Sequence, residues 1–136
     1  MDARDMLDRL ERATRDHDVE ALVDCFAPDY RNETPAHPAR GFVGAEQVRT
    51  NWGHILAGVP DLRARILQSA GVGTTGWAEW EMSGTRRDGG RFLTRGVVIV
   101  EVRSDRMTAA RFYLEPVDDG TADVDAAVRE QVGTAS

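Results

Sequence analysis

Residues 76–116 read GWAEWEMSGTRRDGGRFLTRGVVIVEVRSDRMTAARFYLEP, and this stretch decides the fold. From 76 to 85, Ala78, Trp80 and Met82 alternate with Trp77, Glu79, Glu81 and Ser83, the period of two that buries one side of a sheet. Arg87, Asp88, Gly89 and Gly90 then form a turn, because adjacent glycines supply the positive φ of a tight hairpin. The run 91–102 is the most β-branched in the chain, with Val97, Val98, Ile99, Val100 and Val102, and is predicted to be the centre of the sheet. Ser104 and Asp105 turn the chain again. Residues 107–116 return with Ala110, Phe112 and Leu114 on one parity and Arg111, Tyr113 and Glu115 on the other. Three antiparallel strands with one apolar face need a covering layer, which the rest of the chain must provide.

Working outward, 62–70 alternates in the same way and opens the sheet, joined to the meander by the loop GVGTTG. Residues 45–57 have helical spacing through Val48, Trp52, Ile55 and Leu56 and stop at Gly58 and Pro60. A short strand is predicted over 30–34 and a loop over 35–44. Asp18 is placed to cap a short helix with Val19, Leu22, Val23 and Phe26 as its buried stripe. Residues 3–15 form a helix by the spacing of Met6, Leu7, Leu10 and Ala13 or Thr14, with Asp2 as N-cap. Helices followed by strands indicate an α+β fold, a curved antiparallel sheet with three N-terminal helices segregated on one face. The reading divides the chain into a domain over 1–117 and a polar tail over 118–136. That tail is compatible with a helix over 122–131, carrying Val124, Val128 and Val132 on one face, and equally with disorder.

A chain of 136 residues with net charge -6 makes one domain, and no basic cluster lies along one face. Nucleic acid and membrane are therefore not expected partners. Lysine is absent, which excludes Schiff-base chemistry and a P-loop. The single cysteine, Cys25, permits no internal disulfide and fits a reducing compartment. No apolar run reaches the roughly 18 residues of a membrane span, and the start MDARDMLDRLER lacks a signal-peptide core, so a cytoplasmic location is expected. His17 and His54 have no partner at ligand spacing. Neither a metal nor another cofactor is predicted.

Several short motifs occur in a telling order: Ala27-Pro28-Asp29-Tyr30, Gly41-Phe42-Val43-Gly44 as a turn before the Trp52 helix, and Val59-Pro60-Asp61-Leu62. They continue with the Trp80 strand ending in Ser83-Gly84-Thr85, and Arg95-Gly96-Val97. Together they resemble the SnoaL-like branch of the nuclear transport factor two superfamily over residues 1–117. The resemblance implies a cone in which the sheet wraps three helices and leaves a blind, largely apolar pocket. Ketosteroid isomerases, polyketide cyclases, limonene epoxide hydrolases and dehydratases share it, as do pockets with no known reaction, so the fold does not fix the function. Carried over position by position, the isomerase tyrosine falls on Leu10, its general base on Thr34 before Pro35, and its second acid on Val98. None of the three can do that chemistry. The epoxide hydrolase Asp-Arg-Asp arrangement has no match, since Gly96 and Val97 follow Arg95.

Strand alternation then puts Tyr30, Asn32 and Thr34 on the inward face, with Trp52, Trp80, Met82, Thr94, Val98, Phe112 and Leu114 completing a wall for a small apolar molecule. His37, in the loop at the mouth, is the candidate proton carrier near neutral pH, or else a surface group. Asn32 would orient a ligand carbonyl or bond its own backbone. Trp52 and Trp80 would be an aromatic wall or packing residues. Glu79, Glu81, Arg95, Glu101, Arg111 and Glu115 have outward parity, on the face that the resemblance makes a homodimer interface. A β-bulge would instead turn Glu81, Arg111 or Tyr113 into the cone. Three functions fit: a cofactor-independent isomerase, cyclase or hydrolase on a polyketide, steroid or terpenoid-like compound, a non-catalytic binding module, or a dimerisation module.

Overall fold

The computed structural model describes residues 2–133. The first helix, α1 (Ala3–Arg15), opens on a reciprocal cap in which Asp2 Oδ1 accepts from Asp5 N at 2.8 Å and Asp5 Oδ2 from Asp2 N. Its buried stripe holds the predicted Met6, Leu7 and Leu10, buries both Ala13 and Thr14 where the spacing left one or the other, and adds Ala3. At the break that follows, His17 takes a positive φ of 54°, and its Nε2 donates to the Leu62 carbonyl at 2.7 Å. This histidine ties helices to sheet.

Asp18 caps α2 (Val19–Val23) as expected, through its side chain to Ala21 N. Phe26, however, is not on that helix. The chain straightens after Val23, because the Cys25 carbonyl accepts from Met107 N at 2.8 Å and draws the following residues into the sheet. Strand β1 (Phe26–Glu33) is therefore longer than the 30–34 predicted. Pro28 falls inside its register shift, where no ladder donor is missed. A two-residue strand, β2 (Phe42–Val43), occupies the segment read as loop and turn, and pairs with Arg31 and Asn32.

Helix α3 (Ala45–Gly58) leads into β3 (Arg63–Val72), β4 (Thr75–Thr85), β5 (Arg91–Arg103) and β6 (Arg106–Pro116). The six strands form one sheet in the order β2-β1-β6-β5-β4-β3. The fold class is the one expected, α+β with a curved open sheet around helices. Three successive hairpins make the meander antiparallel, and the crossover through α3 leaves β6 parallel to β1, the one parallel ladder among the described residues. The GVGTTG loop is shorter than read: Val72 pairs with Thr75, leaving Gly73 and Thr74 as the turn, with Gly73 at φ 59°.

Register shifts fall at Ile66/Gln68 and at Glu101/Val102, and none interrupts β4–β5. Ala78, Trp80 and Met82 therefore stay inward and buried. The Ile66 N–H at the first shift donates to Glu11 Oε2 of α1 at 2.6 Å, so the helix closes part of an edge strand. Two glycines permit close approach. A Cβ on Gly76 would lie 2.9 Å from Ala3 Cβ, which lets α1 lie against β4, and one on Gly96 would lie 1.9 Å from the Tyr113 carbonyl oxygen of β6.

Helix α4 (Val124–Val132), capped by Asp123, is the helical form of the tail. Val124, Val128 and Val132 are all exposed. No helix is long and apolar enough to cross a membrane among the described residues.

Candidate functional site

The site is built where α3 stands off the sheet. Val48 is the one fully buried residue of α3, while Trp52, Ile55 and Leu56 remain half-buried against the core. The gap is a cavity of about 260 Å³. Its floor is Phe26, Tyr30 and Val48 with Met82 of β4, all buried. The sides come from Phe42, Ile55, Phe112 and Leu114, and the rim from Thr34, Arg40, Asn51 and Trp52.

Alternation along β1 brings Tyr30 and Asn32 to the same face, as predicted. The Tyr30 ring is wedged edge-to-face between Phe26 and Phe42, with centroids 4.7 and 6.1 Å away. Its hydroxyl donates to Asn32 Oδ1 at 2.8 Å. Asn32 therefore bonds a neighbouring side chain rather than its own backbone, and its Nδ2 has no partner among the described residues. Burial pushes the Tyr30 phenol far above the usual tyrosine range, so it stays neutral and can only donate or accept a hydrogen bond.

On α3, Gln47 Nε2 donates to Asn51 Oδ1 at 2.9 Å, an i, i+4 bond that leaves the Asn51 amide hydrogens available at the rim. Arg40 closes the short 3-10 turn Pro38–Arg40 and is exposed. Among the described residues no carboxylate pairs with it. Together these give the cavity apolar walls, amide and guanidinium donors from Asn32, Asn51 and Arg40, and the Thr34 hydroxyl, with no Asp, Glu, His or Cys in the lining.

Seven of the eleven anticipated site residues meet here: Tyr30, Asn32, Thr34, Trp52, Met82, Phe112 and Leu114. Trp80 and Val98 point inward but are consumed by the core, at 2% and 1% exposure. Thr94 lies on the same face beside Met82, and its hydroxyl is buried without a partner, behind the cavity wall. His37 does not line the cavity. Its Nε2 sits 2.7 Å from Glu115 Oε1, an outward residue of β6, so the loop histidine is turned toward the other side of the sheet.

Arg40 and Asn51 escaped the sequence reading. Arg40 lies in a loop whose path depends on the β1–β2 pairing, and Asn51 is a polar neighbour of Trp52 on a helix judged by its apolar stripe. The adjacency of Asn51 to Trp52 was the available signal.

The outward parity of the charged residues holds. Glu81 accepts from Arg95 Nε at 2.7 Å and from Arg65 Nε at 3.0 Å. Arg95 and then Arg65 hold its carboxyl below its usual range. Tyr113 is on the same outer face, 41% exposed, and Arg111 beside it is exposed. The bulges turn neither inward. A larger depression of about 670 Å³ lies at the β3 edge, bordered by Arg15, Arg63, Arg65 and Glu81. Leu62, Ala64 and Ser83 complete its lining, and it has no aromatic wall, so its chemistry is that of the charged side chains around it. No group of three or more His, Cys, Asp or Glu residues is arranged to hold a metal ion among the described residues.

The isomerase positions are equally clear. Leu10 and Val98 are core residues, at 3% and 1% exposure, and Thr34 is a rim hydroxyl.

Comparison with solved structures gives the same architecture. IdmH from Streptomyces antibioticus, a proposed polyketide cyclase, is similar at TM-score 0.72 and 19% identity, covering 98% of this chain and 99% of its own. AclR from Streptomyces galilaeus, a proposed hydroxylase, is similar at TM-score 0.73 and 10% identity, over 98% and 92%. A protein with a ketosteroid isomerase-like fold from Catenulispora acidiphila, solved with trimethylamine, is similar at TM-score 0.69 and 17% identity, over 79% and 84%. At these identities the likeness is one of fold, and an NTF2-like protein from Cytophaga hutchinsonii shares it too. No curated protein matches the chain. The SnoaL-like domain family matches residues 4–110, most of the sequence, and the chain belongs to that family.

Proposed function

We propose that this protein is a small-molecule pocket protein whose cavity binds one largely apolar compound of polyketide, steroid or terpenoid type. It holds that compound rather than exchanging protons with it. The carrying observation is the lining: aromatic and aliphatic walls with no carboxylate, imidazole or thiol. A general base needs a group that titrates near the working pH and lies within hydrogen-bond reach. The Tyr30 phenol is held neutral by burial, and His37 is engaged with Glu115. At about 260 Å³ the cavity is just under the ~300–1,000 Å³ usual for drug-sized ligands, so one or two fused rings fill it and a longer skeleton extends through the mouth.

A second reading, a cofactor-independent isomerase, cyclase or hydrolase, draws on one feature. The Tyr30–Asn32 pair presents a buried donor, able to polarise a carbonyl whose substrate carries its own internal base. Both readings are tested by thermal shift and native mass spectrometry against aromatic polyketides, steroids and terpenoid epoxides. A ligand bound to the native state must raise stability. Recovery of a stabilising ligand unchanged supports holding; recovery with altered covalent structure refutes it and assigns the reaction class.

Within this reading residues 1–117 are the working unit and the tail is an appendage. The partner is a second copy docked on the outer sheet face. Trp77, Val97 and Tyr113 form an exposed apolar strip there, and Arg65, Glu81, Arg95 and Glu115 alternate in sign beside it. Sedimentation at twice the chain mass is expected; a monomer at micromolar concentration rejects the dimer. A cytoplasmic site fits the buried free thiol of Cys25.

A further inference from the structure

Three polar side chains of the cavity, Asn32, Asn51 and Arg40, have hydrogens to offer that no protein group takes up, while the Thr34 hydroxyl at the rim can donate or accept; this excess of donors specifies the ligand further. Asn32 is 8% exposed, its carbonyl oxygen is occupied by the Tyr30 hydroxyl, and its amide hydrogens face the cavity without a protein partner. Asn51 is in the same state at the rim, with its oxygen taken by Gln47. Arg40 adds a guanidinium, a group that stays charged at every accessible pH. No acid answers it. Glu33 is exposed and of opposite strand parity to Asn32, and Glu115 is taken by His37. In a chain of net charge -6, an unpaired cation beside an apolar cavity free of carboxylates is a local reversal of sign.

We infer that the ligand is an amphipathic acid, an apolar ring body carrying a carboxylate. The body lies between Phe112, Phe42 and Trp52. The carboxylate sits at the rim, bonded by Arg40 and the Asn51 amide, and a second acceptor oxygen on the body meets Asn32 in the interior. This assignment rests on the cavity being a binding site, and it adds the charge of the ligand. An anion is recognised here because charge-assisted hydrogen bonds are about twice as strong as neutral ones, while a neutral hydrocarbon would bury the Asn32 donor unpaired.

The test titrates the intact protein with naphthoic acid and with its methyl ester, which has the same ring body but no charge, following the Trp52 indole resonance. Naphthoic acid is expected to bind at least about tenfold more tightly than the ester. Arg40→Gln should remove that preference by weakening the acid alone. Arg40 is exposed and unpaired by any carboxylate, so this variant folds as the parent does, which its unchanged melting temperature checks. Equal affinity for acid and ester, or a preference that survives Arg40→Gln, overturns the acid assignment and leaves the pocket reading standing. Failure of both compounds to move Trp52 overturns the assignment together with the pocket reading.

Discussion

The Tyr30–Asn32 hydrogen bond is the interaction on which the polarity of the cavity depends, and its strength can be worked out in advance. Tyr30→Phe deletes one hydroxyl and keeps the ring wedged between Phe26 and Phe42. The net value of one such bond is about 1 kcal/mol. Asn32 Oδ1 loses its donor, but it lies on a cavity wall where water replaces the hydroxyl, so the loss stays near that value. For a domain of this size it lowers the melting temperature by about 4 °C. Asn32→Ala is more costly, about 2 kcal/mol, because it strands the hydroxyl of a residue with no exposed surface. Urea titration of both single variants and the double variant, at a common slope, gives the coupling directly. A coupling of about 1 kcal/mol is expected. Strict additivity would show that the two groups are not partners, and the inference that Asn32 presents free donors would fall with it.

Gly96→Ala should cost about 3 kcal/mol or more, because its Cβ would stand 1.9 Å from a backbone oxygen that cannot move aside. A urea midpoint matching the parent would contradict the close approach of β5 and β6. Cys25 is buried, and desolvation pushes its thiol up from 9.0 to about 11. Native protein should therefore react slowly with a thiol reagent at about pH 8 and completely once denatured; immediate native reaction would refute the burial. Because the folded value is the raised one, this group's contribution to stability is complete below the unfolded value and declines as pH rises through the folded one. The Glu81 carboxyl is shifted the other way, first by Arg95 and then by Arg65, from 4.5 downward. Its contribution is present above that value and is lost as pH falls through the folded one. With both guanidinium partners more than half exposed, Glu81→Gln should cost only about 1 kcal/mol at neutral pH while flattening the acid limb. An unaltered acid limb would show that the pairs contribute nothing.

The meander was legible because period-two alternation runs unbroken through the β4–β5 pairing and resumes from Ala110 to Leu114 after the shift at Glu101/Val102, and because its two turns are marked by Gly89-Gly90 and Ser104-Asp105. Helix α1 was legible for the complementary reason, an unbroken apolar stripe opened by a capping aspartate. What escaped depends on contacts distant in sequence. Phe26 continues the α2 spacing and also fits a strand, and only the Cys25–Met107 bond selects the strand. The parallel β1–β6 ladder follows from the crossover through α3 and the three hairpins after it, which no local pattern encodes. The same distinction separates the site residues. Inward parity put Tyr30, Asn32, Met82 and Phe112 on the face that lines the cavity, but parity cannot tell a cavity wall from solid core, and so it admitted Trp80 and Val98. His37 was drawn to the mouth by loop position alone, whereas its orientation is set by Glu115 on another strand.

The three tryptophans occupy three different environments, Trp52 at the cavity rim, Trp80 in the core and Trp77 on the outer sheet face. Their indole N–H resonances therefore report separately on the regions that a ligand could enter. The most direct measurement is a nitrogen-resolved titration of the protein with naphthol, a neutral bicyclic probe. If the space beneath α3 is a binding cavity, the Trp52 resonance and the Asn32 and Asn51 side-chain amides shift together and saturate while Trp77 stays fixed. Shifts confined to Trp77, or none up to the solubility limit of the probe, would contradict the account.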